Sequence, residues 1–217
     1  MFELLMLRVA GAVDVSVQAY AASRIPQLMS NLIASAVERW ARESFHRFDD
    51  GEINCTVRLY DLCDRLLSEH RTEWPCTRVQ YDGALPSRDM RAGRENVKRA
   101  VRPDLFVFIG SISIHVEAKL LSSTGGLPRY YVDRGMKRFL SRSYAWSSDS
   151  RGIMVSYNLT DPPATGLAAV NRAISKDPTL GSSHAIRQVR TVHSRVELHE
   201  STHGLHFDLL HYAIDMR

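Results

Sequence analysis

The chain has few cysteines, no P-loop and no long apolar run at its start, and each absence excludes a class of protein. Its three cysteines have neither an even count nor paired zinc-ligand spacing, which favours reduced thiols in a cytoplasmic protein. The absence of a Gly-x-x-x-x-Gly-Lys-Ser/Thr sequence excludes a P-loop NTPase. The apolar segment at 1–8 is too short to span a bilayer and carries Glu3, so we expect neither export nor membrane association.

Length and composition favour a single domain. The 217 residues are enough for one well-packed core, and neither a low-complexity linker nor an internal repeat divides them. We predict an N-terminal helical extension at 1–50, a core at 51–160 and a C-terminal helix with strands at 161–217. The net charge of +4 is compatible with a polyanion-binding protein but does not require one.

The nine histidines do not form a recognisable zinc motif. Five of them fall on predicted C-terminal strands and a loop, namely His193, His199, His203, His206 and His211. They are spread along these segments without a tight ligand pair, and zinc is therefore disfavoured.

Two short apolar segments carry the most informative pattern in the chain. Runs rich in β-branched and aromatic residues flank Gly110-Ser111, and a two-residue link with glycine first is typical of a tight β-hairpin turn. If Ile109 pairs with Ile112, counting outward places Asp104 opposite Glu117, with Cβ atoms about 5 Å apart. Like charges in such a position repel each other unless a cation lies between them, so this register predicts a cation site.

One face of the predicted hairpin is apolar and the other carries charged side chains. Because side chains alternate along a strand, Lys119 shares a face with Glu117 and Asp104. The opposite face, from Leu105 to Leu120, contains only apolar residues and is predicted to face the core. We therefore expect an ammonium group beside two carboxylates, on a face that is not core.

Pro103-Asp104, followed after twelve residues by Glu117-Ala118-Lys119, resembles the signature of the PD-(D/E)XK superfamily of restriction-endonuclease-like nucleases. The resemblance implies an α/β fold with an αβββαβ core, in which helices flank a mixed central sheet, and it covers about half of the chain. It also implies Mg²⁺, for which Mn²⁺ can substitute, bound by Asp104, Glu117 and the backbone carbonyl of Ala118. Lys119 would then orient or deprotonate the attacking water, or stabilise the developing negative charge.

A further acidic residue is expected to join this site from a helix. Members of the superfamily usually place a helix before the first core strand, often with a glutamate that binds metal, and the segment 52–67 has helical spacing of apolar residues. Glu52 lies in its first turn, on the same predicted inward stripe as Ile53, and is our first choice as a catalytic and metal-binding carboxylate. The alternative role for Glu52 is a favourable interaction with the helix dipole. Glu43, on an earlier predicted helix at 26–46, is the reserve candidate.

A basic segment follows the hairpin. Between 130 and 144 apolar residues recur at helical spacing, and four cations fall within nine residues: Arg134, Lys137, Arg138 and Arg142. We interpret this segment as a helix that contacts nucleic-acid phosphates, with Arg138 first because a guanidinium group can bind a phosphate through two hydrogen bonds. The alternative is a solvated cationic face.

The remaining segments predict the other elements of the sheet and its cover. Residues 152–157 are predicted to form a buried strand and residues 163–175 a helix. Residues 190–199 and 206–215 are predicted to form a C-terminal β-hairpin that extends the sheet.

These features together predict a Mg²⁺-dependent endonuclease that hydrolyses phosphodiester bonds, with DNA favoured over RNA. Analogy with compact nucleases that lack a recognition domain favours a restriction or phage-defence effector that works with a helicase or sensor partner. A homodimer would supply one site to each strand of a duplex. The alternative is a non-catalytic nucleic-acid-binding or assembly subunit that retains the nuclease fold.

Overall fold

The computed structural model of the protein describes residues 15–74, 76–82, 103–109, 112–140, 151–204 and 207–217, with side chains from residue 23 onward. These residues form the predicted α/β fold, a seven-stranded mixed sheet flanked by helices. The helices are α1 (Val15–Arg42), α2 (Glu52–Glu69), α3 (Leu127–Tyr131), α4 (Lys137–Leu140) and α5 (Pro163–Ser175). The strands are β1 (Thr77–Tyr81), β2 (Leu105–Ile109), β3 (Ile112–Leu121), β4 (Arg151–Asn158), β5 (Arg187–His193), β6 (Val196–His203) and β7 (Phe207–Asp215).

The strands follow the order β1-β2-β3-β4-β7-β6-β5. The β1–β2 and β2–β3 pairs are antiparallel, β4 is parallel to both β3 and β7, and the β7–β6 and β6–β5 pairs are again antiparallel. The parallel centre is buried on both faces, as parallel strands usually are.

The predicted hairpin register is confirmed. Ile109 pairs with Ile112, and the pairing continues outward to Leu105 and Val116. Asp104 and Glu117 occupy the next position beyond that last pair.

Helices cover both faces of the sheet and create two hydrophobic cores. Helices α1 and α2 pack on one face, around Trp40, Leu59 and Tyr157. A π-helical turn, Val132–Met136, joins α3 to α4, and we call the continuous stretch 127–140 the α3–α4 helix. It packs with α5 on the other face, against Met154. Glu117 and Lys119 lie on this second face, so the face expected to lie outside the core is in fact covered by a helix.

Helix α1 covers one face of the sheet, but its bounds differ from the prediction. It spans Val15–Arg42 in place of 26–46 and contains Pro26. The Tyr212 hydroxyl of β7 donates a hydrogen bond to the Pro26 carbonyl at 3.1 Å. The helix ends shortly before Phe45, whose backbone adopts a positive φ.

The buried stripe of α2 differs from the predicted one. The residues that face the core are Cys55, Thr56, Leu59, Leu62, Cys63 and Leu67. The side chain of Ile53, predicted to face inward, is 69% exposed. Cysteine packs as a small apolar residue, so the stripe through Cys55 and Leu59 offers the sheet an equally apolar surface and leaves Ile53 outside.

The predicted C-terminal hairpin is wrong in detail, because three strands form in place of two. Strand β5 ends at His193 and pairs through a two-residue turn with Val196 at the start of β6. Residues 201–203, expected to form a loop, continue β6 because they pair with β7. The polar residues at 194–195 form a turn, although the prediction had placed them inside the strand at 190–199.

A chain of buried hydrogen bonds links the C-terminal strands to α3. The Nδ1 atoms of His184 and His203 lie 2.6 Å apart, and Ser201 Oγ lies 2.8 Å from the Nε2 atoms of both His203 and His211. His211 Nδ1 completes the chain at 2.8 Å from the Tyr131 hydroxyl. We call these five residues the histidine chain. Burial lowers the pKa of His203 to about 4 and that of His211 well below its ordinary value, so both rings are neutral at pH 7.

Candidate active site

Strand β3 supplies two charged side chains that point under the α3–α4 helix. Glu117 and Lys119 are two residues apart and therefore share a face. The Glu117 side chain is 0% exposed and that of Lys119 is 3% exposed. Lys119 Nζ donates a hydrogen bond to Glu117 Oε1 at 2.8 Å. This pair is buried, although the sequence predicted a face outside the core.

Asp104 approaches the same ammonium from the residue before β2. Its Oδ2 lies 3.5 Å from Lys119 Nζ and accepts a hydrogen bond from the Ala118 backbone N–H at 2.7 Å. The hairpin therefore brings Asp104 and Glu117 to one cation, as the register predicted.

Glu52 reaches the site from the first turn of α2. Its Oε1 lies 3.0 Å from Lys119 Nζ, and its Oε2 accepts a hydrogen bond from the Leu120 backbone N–H at 3.1 Å. Glu52 thus bonds to β3, and Asp49 accepts the backbone N–H of Gly51 before the helix. The reserve candidate Glu43 lies elsewhere, in an ion pair with Arg58.

Four oxygen atoms surround the Lys119 ammonium. Besides the three carboxylates, the Ala118 carbonyl lies 2.5 Å from Nζ. We call Asp104, Glu52, Glu117 and the Ala118 carbonyl the carboxylate centre. Burial alone would lower the pKa of Lys119, but the negative charges of the three carboxylates outweigh it and raise this pKa above its ordinary value. Lys119 is therefore positively charged at pH 7.

The donors of the carboxylate centre suit a hard divalent cation, because Mg²⁺ and Mn²⁺ prefer carboxylate and carbonyl oxygens. Within the described residues, however, no group of three or more His, Cys, Asp or Glu side chains is arranged to hold a metal ion. The Lys119 ammonium lies where the four oxygens converge. A divalent ion at this point therefore requires the ammonium to move aside.

The α3–α4 helix can lie close over β3 because residue 135 is glycine. A Cβ on Gly135 would come within 2.4 Å of the Met154 methyl group and 3.7 Å of Lys119 Cγ. The helix is also π-helical at this point, a local form that is common at functional sites.

Arg138 is the predicted phosphate contact that the structure brings to the carboxylate centre. Its Nη1 lies 2.6 Å from Glu117 Oε1, and its side chain is 38% exposed. Among the described residues, three carboxylates thus meet two cations, Lys119 and Arg138, and these five side chains together carry one net negative charge. Glu117 is buried between both cations, whereas Arg138 keeps part of its surface in solvent.

The other predicted phosphate contacts have different surroundings. Lys137 donates to Asp177 at 2.6 Å and lies 2.9 Å from Asp133, so its ammonium is directed away from the carboxylate centre. Arg134 is exposed and forms no ion pair with any residue that the structure describes. Arg142 lies outside the described residues.

Sequence reasoning missed Tyr130 as a neighbour of the carboxylate centre. The centroid of its ring lies 5.8 Å from Lys119 Nζ, and the side chain is 45% exposed. A signal was present in the spacing, because Tyr130, Arg134 and Arg138 recur every four residues on one side of a helix.

Comparison with known proteins adds no relative from which a role could be transferred. No family model, curated protein or solved structure matches the chain. Among the described helices, none is both long and apolar enough to cross a membrane. The geometry of the carboxylate centre is therefore the basis for a functional proposal.

Proposed function

We propose that this protein is a metal-dependent nuclease of the PD-(D/E)XK type, which hydrolyses phosphodiester bonds. The observation that carries the proposal is the convergence of the four oxygens of the carboxylate centre on one cationic position, within 3.5 Å of Lys119 Nζ. Two of these carboxylates and the lysine match the Asp, Glu and Lys positions of the signature that the sequence resembles.

The order of elements supports the same proposal. Helix α2, strands β1, β2 and β3, the α3–α4 helix and strand β4 follow one another as α, β, β, β, α and β. Asp104 precedes the second strand of this series, Glu117 and Lys119 lie on the third, and Glu52 begins the helix before them.

The residues of the carboxylate centre would hold Mg²⁺ or Mn²⁺ through Asp104, Glu117, Glu52 and the Ala118 carbonyl. The ion, when bound, supplies Lewis acidity, which lowers the pKa of water and neutralises charge on the phosphate. A divalent cation would also change the net charge of the group from negative to positive, which favours an anionic substrate.

The chain's own residues would then position the reactants. In hydrolysis the water oxygen bonds to phosphorus, one P–O bond to a sugar oxygen breaks, and that oxygen receives a proton. Lys119, on a flexible stem, would place its ammonium beside the attacking water or the phosphate. Arg138, partly exposed beside Glu117, would bind a non-bridging phosphate oxygen, and the exposed Arg134 would contact a neighbouring phosphate.

We extend the proposal to DNA as substrate, and to a helicase or sensor partner, by analogy with compact nucleases that lack a recognition domain. One observation favours a second candidate function. The Lys119 ammonium already satisfies the carboxylate centre. A centre that stays ion-paired in this way would bind no metal, and the protein would be a non-catalytic nucleic-acid-binding or assembly subunit.

Cleavage assays with end-labelled single-stranded DNA, duplex DNA and RNA, each in Mg²⁺, Mn²⁺ or EDTA, test the two candidates. We expect metal-dependent cleavage that Asp104→Asn and Glu117→Gln abolish, while Lys176→Ala, which removes an exposed cation beyond α5, retains it. Cleavage that resists EDTA, or full activity in Glu117→Gln, would contradict the nuclease proposal. Binding without cleavage in every metal condition would support the second candidate.

A further inference from the structure

Exposed apolar side chains gather on the two elements that border the carboxylate centre. The large apolar residues with exposed side chains in the described part of the chain are Phe48, Ile53, Val57, Tyr130 and Val189. Three of them belong to α2 and the loop before it, which supply Glu52, and Tyr130 belongs to α3. Only Val189 lies far away, on the edge strand β5.

Of these exposed residues, Tyr130 has its ring beside the carboxylate centre. Its ring centroid is 5.8 Å from Lys119 Nζ, close to the outer limit of about 6 Å for a cation–π contact. An interaction at that limit is weak and does not account for an exposed aromatic ring. The next residue, Tyr131, is fully buried in the histidine chain, so the two adjacent tyrosines have different environments.

Tyr130 lies beside a surface that the described residues leave uncovered. It follows a loop whose Gly125 and Gly126 have no described atom within 4 Å of the position that a Cβ would take. Arg134 and Arg138 follow Tyr130 in the sequence at intervals of four residues, a spacing that places residues on successive turns of a helix. An aromatic ring followed by two guanidinium groups matches the combination of stacking and charge by which proteins bind single-stranded nucleic acid.

We propose that Tyr130 stacks on an unpaired nucleobase next to the phosphate at the carboxylate centre, so that the substrate is single-stranded or locally unpaired nucleic acid. The inference rests on the proposed nuclease function. In a nucleotide a single sugar separates the phosphate from the base. A phosphate bound beside Lys119 would therefore bring its base close to the Tyr130 ring, whose centroid lies 5.8 Å from Lys119 Nζ. In a duplex both faces of that base are covered by its neighbours, whereas a single strand can present one face to an aromatic side chain.

The test uses the full chain and two strands of equal length, oligothymidine and an abasic sugar–phosphate strand, with Ca²⁺ replacing Mg²⁺ to suppress cleavage. Affinities are measured by fluorescence anisotropy for the native protein, Tyr130→Ala and Tyr130→Phe, with Val189→Ala as the exposed apolar control. We expect Tyr130→Ala to weaken binding of oligothymidine roughly tenfold, the effect of losing one stacked base. Tyr130→Phe should retain affinity, and Tyr130→Ala should not weaken binding of the abasic strand.

Each other outcome overturns the inference, and parallel cleavage assays in Mg²⁺ separate it from the nuclease proposal. Equal weakening for both strands would show that the ring positions Lys119 or the backbone and does not stack on a base. Native affinity in Tyr130→Ala, or tighter binding of a matched duplex than of oligothymidine, would reject stacking while metal-dependent cleavage still supported a nuclease. A native protein that neither binds nor cleaves any strand would overturn both proposals.

Discussion

The carboxylate centre and the histidine chain are polar clusters against the same sheet, but they satisfy their polar atoms in different ways. In the histidine chain every hydrogen bond joins one donor to one acceptor. Neutral side chains can form all four bonds, because the donors can all point in one direction along the chain. In the carboxylate centre three acidic side chains meet two cations within the part of the chain that the structure describes, and Asp104, Glu52 and Arg138 keep contact with solvent.

This difference separates a structural network from a site that can bind a ligand. A buried chain of neutral groups that pair with one another leaves no charge to attract a ligand, and it holds β6, β7 and α3 together. Excess charge in a partly open cluster is costly without a counterion, and such clusters occur where binding or catalysis uses them. Four variants or conditions test whether the contrast is real.

The largest effect is expected from Lys119→Met, which keeps most of the aliphatic stem and removes the ammonium. Activity should fall by about 10²–10⁴-fold, the range for loss of a catalytic acid or base. Stability in EDTA should also fall, by up to about 3 kcal/mol, because the buried Glu117 loses the cationic partner that Lys119 supplies. Thermal unfolding in EDTA and in Mn²⁺ measures this, and we expect Mn²⁺ to stabilise the variant more than the native protein.

A Lys119→Met protein that is as stable as the native one in EDTA and shows no response to Mn²⁺ would mean that the carboxylates are not a cation site.

A smaller loss of activity is expected from Arg138→Lys, which keeps the charge but not the two-pronged geometry of the guanidinium group. We expect cleavage to fall about 10- to 100-fold, the equivalent of one or two hydrogen bonds to a charged group. Single-turnover rates measure this effect, with Arg172→Lys on the exposed surface of α5 as the matched control. Equal rates in Arg138→Lys and the native protein would place the phosphate elsewhere.

The histidine chain should respond in stability and not in chemistry. Tyr131→Phe leaves His211 Nδ1 buried without its hydroxyl partner, which costs about 1–3 kcal/mol. The neighbouring Tyr130→Phe is the matched control and should change stability by less than about 0.5 kcal/mol, because its side chain is exposed. Urea unfolding of both variants gives the difference. A Tyr131→Phe protein of native stability would show that the hydroxyl contributes nothing to the chain.

The smallest expected effect is a dependence of stability on pH. Burial lowers the folded-state pKa of His203 to about 4, below the ordinary value of about 6.5, so the unfolded chain takes up the proton first. Stability is therefore complete above about pH 6.5 and falls as the pH decreases toward 4. At pH 5.5 the loss is about 1.4 kcal/mol for each such histidine. Urea unfolding at pH 7.5 and 5.5 should show a smaller difference for His203→Gln than for the native protein, and an equal difference would contradict a buried neutral ring.

Much of the site could be predicted because it depends on short-range rules. The predicted pairing of Ile109 with Ile112 gave the register of β2 and β3, and alternation along β3 placed Glu117 and Lys119 on one face. Glu52 was predicted from the family resemblance and from an inward stripe of α2 that included Ile53; the residue lies at the site, although that stripe was wrong. The sequence could not show that Lys119 would be buried, because burial depends on the α3–α4 helix crossing β3 at Gly135.

The basic helix shows where sequence patterns stop being sufficient. Lys137 and Arg138 are adjacent and equally basic, yet one bonds to Asp177 and the other to Glu117. Neighbouring residues on a helix point in directions about 100° apart, and a π-helical turn just before them changes the phase that a regular helix would predict. Only the packed structure distinguishes the two.

The amino-acid order alone determined the apolar alternation of the strands and the pairing of β2 with β3 that brings two acidic residues together, because each depends on neighbours close along the chain. Tertiary structure decided which cations those acids meet, which tyrosine is buried and which is exposed, and how far Lys119 lies from water. These features join residues as distant as Glu52 and Lys119, and such contacts form only when helices pack onto the completed sheet.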